Sequence, residues 1–563
     1  MSFSNEDLMN HLVKDIGHTK LYGDNSSAKH VACYLLQRNL TKKFSDNTTT
    51  EAAHKAAVDK FKLVNEAQKC WLFDPDRLSS DVQDILQLAR RLFVQQTTDS
   101  EGFSKLSLNK AFNLGDVGPG ASVGAKSNDI LSKLFMSKLT ATHPTLLMLY
   151  REAIFNNTRW KSAELMREIE CGKLKVVQGS NLFTVPKDTE IARVAFTEPT
   201  LNMWGQLGYG DLINKLLVRY HSIDIRNQPP INSWFARAGS LNQRFGTIDL
   251  QSASDTIGLH FCEWLLPPKM YNDLCFLRSK YARVPGERKL LELHMISTMG
   301  NGFTFPLQTL IFANLVLATY IHTRTPVYDV FNKRRYGVFG DDIICDSSVY
   351  DLVIQVLEAS GFKPNLNKSF NVGRFRESCG TDYFAGINVR AVYLKKCTVD
   401  AHVYSLINRL LMWSGRHHVS LLHTTNYLRS LVQYRPIPLD EDQTAGIYTP
   451  RQFLTARKRN VHGHYMYKCL QRVKRLEAVS DEIGSRYFHG CVLSSLHGSI
   501  RDHNIVPRDQ PREEDIVEYK VVSRAWPLSW DHVSDHRKMG IYSGDARTTC
   551  EELRLGYFLN MVS

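Results

Sequence analysis

A single Gly-Asp-Asp interruption between two apolar runs constrains this chain more than any other feature. It lies in Arg334-Arg335-Tyr336-Gly337-Val338-Phe339-Gly340-Asp341-Asp342-Ile343-Ile344-Cys345-Asp346. Gly340 permits a tight turn that most residues resist, so the pattern predicts a β-hairpin with two carboxylates at its tip. Adjacent aspartates repel, and keeping both ionised costs free energy unless a cation sits beside them. Mg²⁺ suits such a place, since it takes hard oxygen ligands and shares them with substrate phosphates. The same tripeptide also makes an ordinary polar turn, so its meaning depends on its surroundings.

At 563 residues, 43% hydrophobic and 23% charged, the chain can bury several cores and reads as a soluble globular protein. Its net charge of +13 favours a polyanionic partner. The 11 cysteines are scattered singly with no Cys-x-x-Cys pair, which argues against a zinc site or disulfide framework and for a reducing cytosol. Met1 to Asp7 lacks the basic and apolar regions of a signal peptide. The longest apolar stretch, Leu307 to Ile321, is broken by Gln308, Thr309, Asn314 and Thr319. It reads as too short and too polar to span a bilayer.

The first 110 residues or so are mostly helical in pattern, with a polar break from Thr41 to Thr50 and a core-facing helix over Asp81 to Val94. The glycine-rich Gly115 to Gly124, with Lys126 just beyond, is either a phosphate cradle or a plain loop. Asn181 to Pro199 reads as two strands around a polar turn flanked by Lys187 and Arg193. That pair could hold a triphosphate, or be two solvated surface charges. Phe245 to Asp255 begins as a buried strand ending at Asp249, and strand exits are recurrent places for catalytic carboxylates. A helix carrying Ile257, Phe261, Trp264 and Leu265 follows, stopped by Pro267-Pro268. Asp255 is then either a functional carboxylate or a charge at that helix N-terminus.

Ser297 to Phe305 is a small-residue loop leading into a helix near Pro306 that is apolar nearly all round, hence buried beneath the sheet. After the hairpin, Ser347 or Ser348 caps a helix that Gly361 ends, Asn367 to Phe370 opens a strand, and Tyr383 to Tyr393 forms another hairpin. This order fits an α+β fold, an antiparallel sheet of split βαβ type with helices on one face. Beyond about 400 the chain is helical and basic. Arg451 to Arg475 holds eight Lys or Arg, no acid, and the interleaved Tyr465 and Tyr467. Such a run, with Arg457, Lys458, Arg459, Lys468 and Arg472, suits a nucleic-acid backbone track better than a solvated helix face.

Together these segments resemble the RNA-directed RNA polymerases, most closely the replicase catalytic subunits of single-stranded RNA bacteriophages. Phe245 to Asp255 is similar to polymerase motif A, Ser297 to Phe305 to motif B and Phe339 to Asp342 to motif C. Gly361 to Phe370 is similar to motif D, Glu377 to Arg390 to motif E and Val185 to Pro199 to the basic motif F. The phage-type character lies in Met299 to Phe305, Gly118 to Ser122 and Asp249 to Asp255. Phe339 stands where this motif usually has tyrosine, which removes a hydroxyl and keeps the ring. The resemblance implies a right-hand polymerase. Its N-terminal region and fingers would occupy 1–244 and its palm 245–395, with a finger insertion near 267–296. The thumb and C-terminal region would take 396–563.

It further implies nucleotidyl transfer from NTPs on a single-stranded RNA template. Two Mg²⁺ ions, or Mn²⁺ in their place, would be bridged by Asp249 and Asp341 with Asp342 in support. Lys187 and Arg193 would meet the triphosphate. Lys368 resembles a motif D lysine that protonates departing pyrophosphate, with a plain phosphate contact as its alternative. Gly300, Asn301 and Thr304 would line the nucleotide site. Leu250 to Ser254 holds no aromatic to exclude a 2′-hydroxyl, and Asp255 offers that hydroxyl an acceptor. Partners implied are the host translation elongation factors Tu and Ts and a ribosomal protein, in the bacterial cytoplasm, with no membrane. A reverse transcriptase-like polymerase is disfavoured by Gly340, the missing gate and Asp255. A non-catalytic RNA-binding protein of polymerase fold is disfavoured by the intact aspartates.

Overall fold

The structure, a computed structural model, describes residues 3–44, 51–187, 191–454, 458–459, 465–473, 481–496, 519–525 and 546–561. Two early helices bear on the site, α1 (Glu51–Cys70) and α2 (Ser80–Thr97). In α2 the residues Val82, Ile85, Leu86, Ala89 and Phe93 are buried, the stripe that 3.6-residue spacing dictates. The basic hairpin forms as β1 (Gly179–Pro186) and β2 (Ala192–Thr197), antiparallel with Pro186 opposite Ala192. Lys187 N–H donates to the Ile191 carbonyl at 2.8 Å and narrows its turn.

Next come α3 (Gln228–Asn242), β3 (Phe245–Ile248), the short α4 (Leu259–Leu265) and α5 (Thr304–His322). The Gly-Asp-Asp hairpin is β4 (Gly337–Phe339) and β5 (Asp342–Asp346). After it follow α6 (Tyr350–Ala359), β6 (Phe375–Ser378) and β7 (Thr381–Phe384). The central sheet has the order β3-β5-β4 and is antiparallel throughout, with Ile343 opposite both Ile248 and Val338.

Strand alternation decides what each face of β5 meets. Ile343 and Cys345 enter the main core beside α5, while Ile344 turns to Phe235 and Ala236 of α3. Helices therefore cover both faces of the sheet, not one. Gln228-Pro229-Pro230 starts α3 with proline in its first turn, where the missing N–H costs least.

Helix α5 is 19 residues long with mean hydropathy 1.4 over its most apolar window, enough by length and composition to cross a membrane, yet 83% of that window is buried inside the fold. Its polar residues are used internally. Asn314 exchanges hydrogen bonds with Gln96 of α2 at 3.1 and 2.8 Å, and Thr319 Oγ1 donates to the Leu315 carbonyl at 2.9 Å. This is a core helix whose polar atoms are satisfied.

Three local expectations change. Neither Ser347 nor Ser348 caps α6: Ser347 Oγ donates to the Gln243 carbonyl and Ser348 Oγ to Asp346 Oδ1, leaving Val349 at the N-cap. Gly361, at φ +86°, does follow the helix in the left-handed conformation. Asn367 to Phe370 is a turn closed by a single bridge from Phe370 to Thr247, because Asn365 folds the chain back onto Asp249; the strand begins only at Phe375. In the described part of the basic run, Arg451–Phe453 is a 3₁₀ turn and the remaining elements are strands rather than a long helix. Lys458–Arg459 and Tyr465–Arg472 pair with each other, and the latter also pairs with Tyr519–Ala525. Buried Tyr467 and Cys469 on either side of exposed Lys468 give the alternation of a half-buried strand.

Candidate active site

Gly340 turns the hairpin at φ +61°, and a Cβ there would lie 2.4 Å from the Phe305 ring. Glycine is required twice over, by conformation and by space. Its N–H donates to Thr309 Oγ1 of α5 at 3.0 Å, so the buried helix fixes the tip. Phe339, in place of the usual tyrosine, packs edge-on against Phe305 with centroids 4.7 Å apart. The ring's packing role survives without the hydroxyl.

Asp249 leaves β3 beside this tip, one residue past the Ile248–Ile343 pair. Its Oδ2 accepts from Asn365 Nδ2 at 2.8 Å and its N–H donates to Ser369 Oγ at 3.1 Å. Asp341 is pushed above the ordinary carboxylate range by burial and by the Asp249 charge, while Arg193 and Lys368 pull it back down. Asp342 is pushed up to about 7 by burial, then by Asp341 and Asp249. The three carboxylates thus repel one another as expected. Among the described residues no group of three His, Cys, Asp or Glu is close enough to hold an ion as it stands. The donors have the right chemistry, and an ion would have to draw them inward.

Asp342 has supports that the sequence did not announce. The Cys379 N–H bonds its carboxylate, Ser378 Oγ lies 3.5 Å from Oδ1, and Asn232 Nδ2 of α3 donates to its carbonyl at 3.4 Å. Asn365 and Ser369 do the same for Asp249. Four of the five fall in the segments likened to motifs D and E, and Asn232 comes from α3, but no local rule marks any of them as a support, because the contact exists only in the folded chain.

Asp255 lies in its own 3₁₀ turn, Ala253–Asp255, whereas α4 starts at Leu259 with Gly258 as its N-cap. It is therefore not the first-turn charge of a helix, and that alternative is removed. Burial pushes its carboxyl up to about 6, against the Ser254 hydroxyl and the charges of Lys60 and Arg193. Arg193, exposed on β2, consequently acts on both Asp255 and Asp341. Lys368 stands in the turn after Asn365, with Nζ 3.9 Å from Glu377.

The small-residue loop closes the site from the side of β2. Phe196 N–H donates to the Met299 carbonyl at 2.8 Å, and Gly300 sits at φ +118° with its would-be Cβ 2.2 Å from the Phe196 carbonyl oxygen. Asn301 Oδ1 accepts from Phe303 N–H at 3.1 Å and Thr304 Oγ1 donates to the Thr298 carbonyl at 2.7 Å. Both side chains are buried and shape the loop itself. Gly300→Ala should therefore reduce the melting temperature and lower the nucleotide incorporation that the resemblance implies by at least about tenfold, since left-handed strain of about 1–2 kcal/mol adds to a backbone collision. Gly286 shares a positive φ of +79° but has nothing within 4 Å, so Gly286→Ala should carry the conformational strain alone and lower the melting temperature less. Equal effects of the two substitutions on melting and rate would refute the close-packing account.

Of the basic residues further on, Arg457 lies outside the described residues, and of Lys458 and Arg459 the backbone strand alone is described. Lys468 and Arg472 are exposed on a sheet separate from the one bearing the aspartates. Tyr467 is buried and its hydroxyl donates to Glu441 Oε2 at 2.7 Å, which withdraws that ring from any stacking role.

Comparison with known proteins bears on this constellation. The family model described as RNA replicase, beta-chain, matches residues 1–489. The RNA-directed RNA polymerase beta chain of Enterobacteria phage fr is 34% identical over 400 residues, 68% of each chain. That of Escherichia phage MS2 is 42% identical over 249 residues, 44% of each chain. The RNA-directed RNA polymerase subunit beta of Escherichia virus Qbeta is 38% identical over 263 residues, 45% of this chain and 43% of that one. Among solved structures, the RNA-dependent RNA polymerase of a human picorbirnavirus, in an insertion-loop deletion mutant, aligns at TM-score 0.30 and 17% identity. It covers 44% of this chain and 57% of its own. With its family matched from the first residue to residue 489, and the aspartate hairpin and its neighbours inside that span, the chain belongs to the RNA replicase beta-chain family.

Proposed function

We propose that this chain copies single-stranded RNA into RNA from ribonucleoside triphosphates, as the catalytic subunit of a phage replicase at work in the cytoplasm of the bacterial host. The observation that carries the reading is the placement of Asp249 just past the end of β3 and Asp341 just before the start of the adjacent antiparallel β5, with Arg193 and Lys368 acting on the same point. The architecture is read as a right hand. Residues 1–244 supply fingers and the N-terminal region, 245–395 a split βαβ palm with a finger insertion near 267–296, and 396–563 the thumb and C-terminal region.

Two Mg²⁺ ions, or Mn²⁺ in their place, held by Asp249, Asp341 and Asp342, would supply stabilisation of charge on the attacking and leaving oxygens. The chain's own residues do the rest. Lys187 and Arg193 neutralise the incoming triphosphate, Arg through a planar fork and Lys as a point charge. Asp255 accepts the ribose 2′-hydroxyl. Gly300, Asn301 and Thr304 form the wall against which the nucleotide sits. Lys368, paired loosely with Glu377, delivers a proton to the departing pyrophosphate. Arg457, Lys458, Arg459, Lys468 and Arg472 guide RNA phosphates. The relatives' designation as beta chains supports a multi-subunit replicase, here with elongation factors Tu and Ts and a ribosomal protein.

The test is labelled-nucleotide incorporation by the full chain with whatever subunits co-purify. RNA and DNA templates are compared, and NTPs with dNTPs. Template-dependent RNA synthesis from NTPs is expected. Incorporation without template, or a preference for dNTPs, would overturn the reading.

A further inference from the structure

Lys43 lies just past the helix Ala28–Asn39 and is partly buried, far in sequence from every residue placed at the site above. Two contacts hold it. Leu394 N–H donates to the Leu40 carbonyl at 2.6 Å, tying this segment to the chain beyond β7. Lys43 Nζ stands 4.4 Å from the centroid of the Tyr393 ring, which the Arg390 guanidinium shares at 5.0 Å. Arg390 Nη1 is in turn 2.8 Å from Asp382 and 3.7 Å from Glu377, and Glu377 faces Lys368 at 3.9 Å. Contacts therefore run unbroken from Lys43 to Lys368, whose charge reaches Asp341.

Charge is not evenly matched along this path. Arg390 and Lys368 each face a carboxylate within 4 Å, whereas the close contact of Lys43 is the aromatic face and the Asp382 carboxylate acts on it from further away. An aromatic face attracts an ammonium without neutralising it. Burial lowers the Lys43 pKa, and the charges of Arg390, Lys395, Lys187 and Lys368 lower it further. Cations held together against their repulsion mark a place where a compact polyanion belongs. Lys187 and Lys368 are the residues already read as phosphate contacts, and Lys43 is close enough to feel both.

We propose that Lys43 is a third cation for polyphosphate, contributed by the N-terminal region to the triphosphate of the incoming nucleotide and to departing pyrophosphate. The proposal rests on the polymerase reading above. Lys43→Met keeps the length and apolar stem over Tyr393 and removes the charge, and Lys43→Arg keeps the charge. In the purified chain with its co-purifying subunits, Lys43→Met should raise the NTP KM and the pyrophosphate inhibition constant about tenfold, the scale of one charge-assisted hydrogen bond. Lys43→Arg should recover most of that loss. RNA affinity, its salt dependence and the melting temperature should stay unchanged.

An unchanged KM and inhibition constant in an active enzyme overturns the proposal. So does a loss confined to RNA affinity, which would make Lys43 an RNA contact, or a uniform loss with a lowered melting temperature. Calorimetric binding of inorganic pyrophosphate to the wild-type and Lys43→Met proteins reads the site without turnover. Failure of the wild type to polymerise would instead count against the polymerase reading, and equal pyrophosphate affinities would still count against Lys43.

Discussion

Asp341→Asn should cut nucleotide incorporation by at least about a thousandfold while leaving RNA affinity within about twofold, the carboxylate being needed at the reacting phosphate and not for RNA binding. The variant should also be more stable than the wild type when divalent cations are absent. Asp342 has a folded pKa of about 7, against an ordinary aspartate value of about 3.9. Between those values the folded state holds a proton that the unfolded state has released, so stability falls as pH rises from about 4 to 7. Asparagine at 341 removes the nearest charge responsible. Above pH 7 the variant should therefore melt higher than the wild type in EDTA, and the difference should shrink as Mg²⁺ is added. Near-normal incorporation in Mg²⁺, or a variant that melts lower in EDTA, would sink the assignment.

Asp255→Ala should narrow the NTP-to-dNTP ratio of kcat/KM by roughly 10- to 100-fold, almost entirely through loss with NTPs. A site built to pair a hydroxyl leaves its own polar group unpaired when the hydroxyl is missing, which is why such discrimination can be large. Since α4 begins four residues later, no loss of helix-dipole energy should accompany the change. Asp255 is raised to about 6, so it is an ionised acceptor above that pH and a protonated carboxyl below it. The wild-type ratio should accordingly fall as pH drops through about 6, and the alanine variant should lack that step. An unchanged ratio, whatever happens to melting, would remove Asp255 from sugar selection.

The residues that carry strong local rules were readable from sequence. Gly340 between two apolar runs gave its hairpin away, the helical stripe from Val82 to Phe93 gave α2, and the apolar run after Pro306 gave α5. What escaped reading depends on tertiary position. The β structure of the basic run follows from pairing with Tyr519–Ala525, a partner some fifty residues on that no local window contains. Ser348 looks like a helix cap until Asp346 is seen to accept its hydroxyl. The second face of the sheet is covered by α3, whose Phe235 and Ala236 are unremarkable until Ile344 lies opposite them. In the site, the aspartates were visible as types at positions, whereas Asn365, Ser369 and Cys379, which hold them, carried no local sign of that task.

The bond from Phe196 to Met299, with Gly300 pressed against the Phe196 carbonyl, makes the strand bearing Arg193 and the loop proposed to wall the nucleotide site a single mechanical element. Linkage then applies in both directions. Whatever free energy an occupied phosphate pocket lends to the correct sugar, the correct sugar returns in equal measure to the phosphates. Selection of ribose would begin at equilibrium, before any bond is made. A nucleotide with the wrong sugar would be held less firmly by its phosphates, though their own contacts are chemically identical.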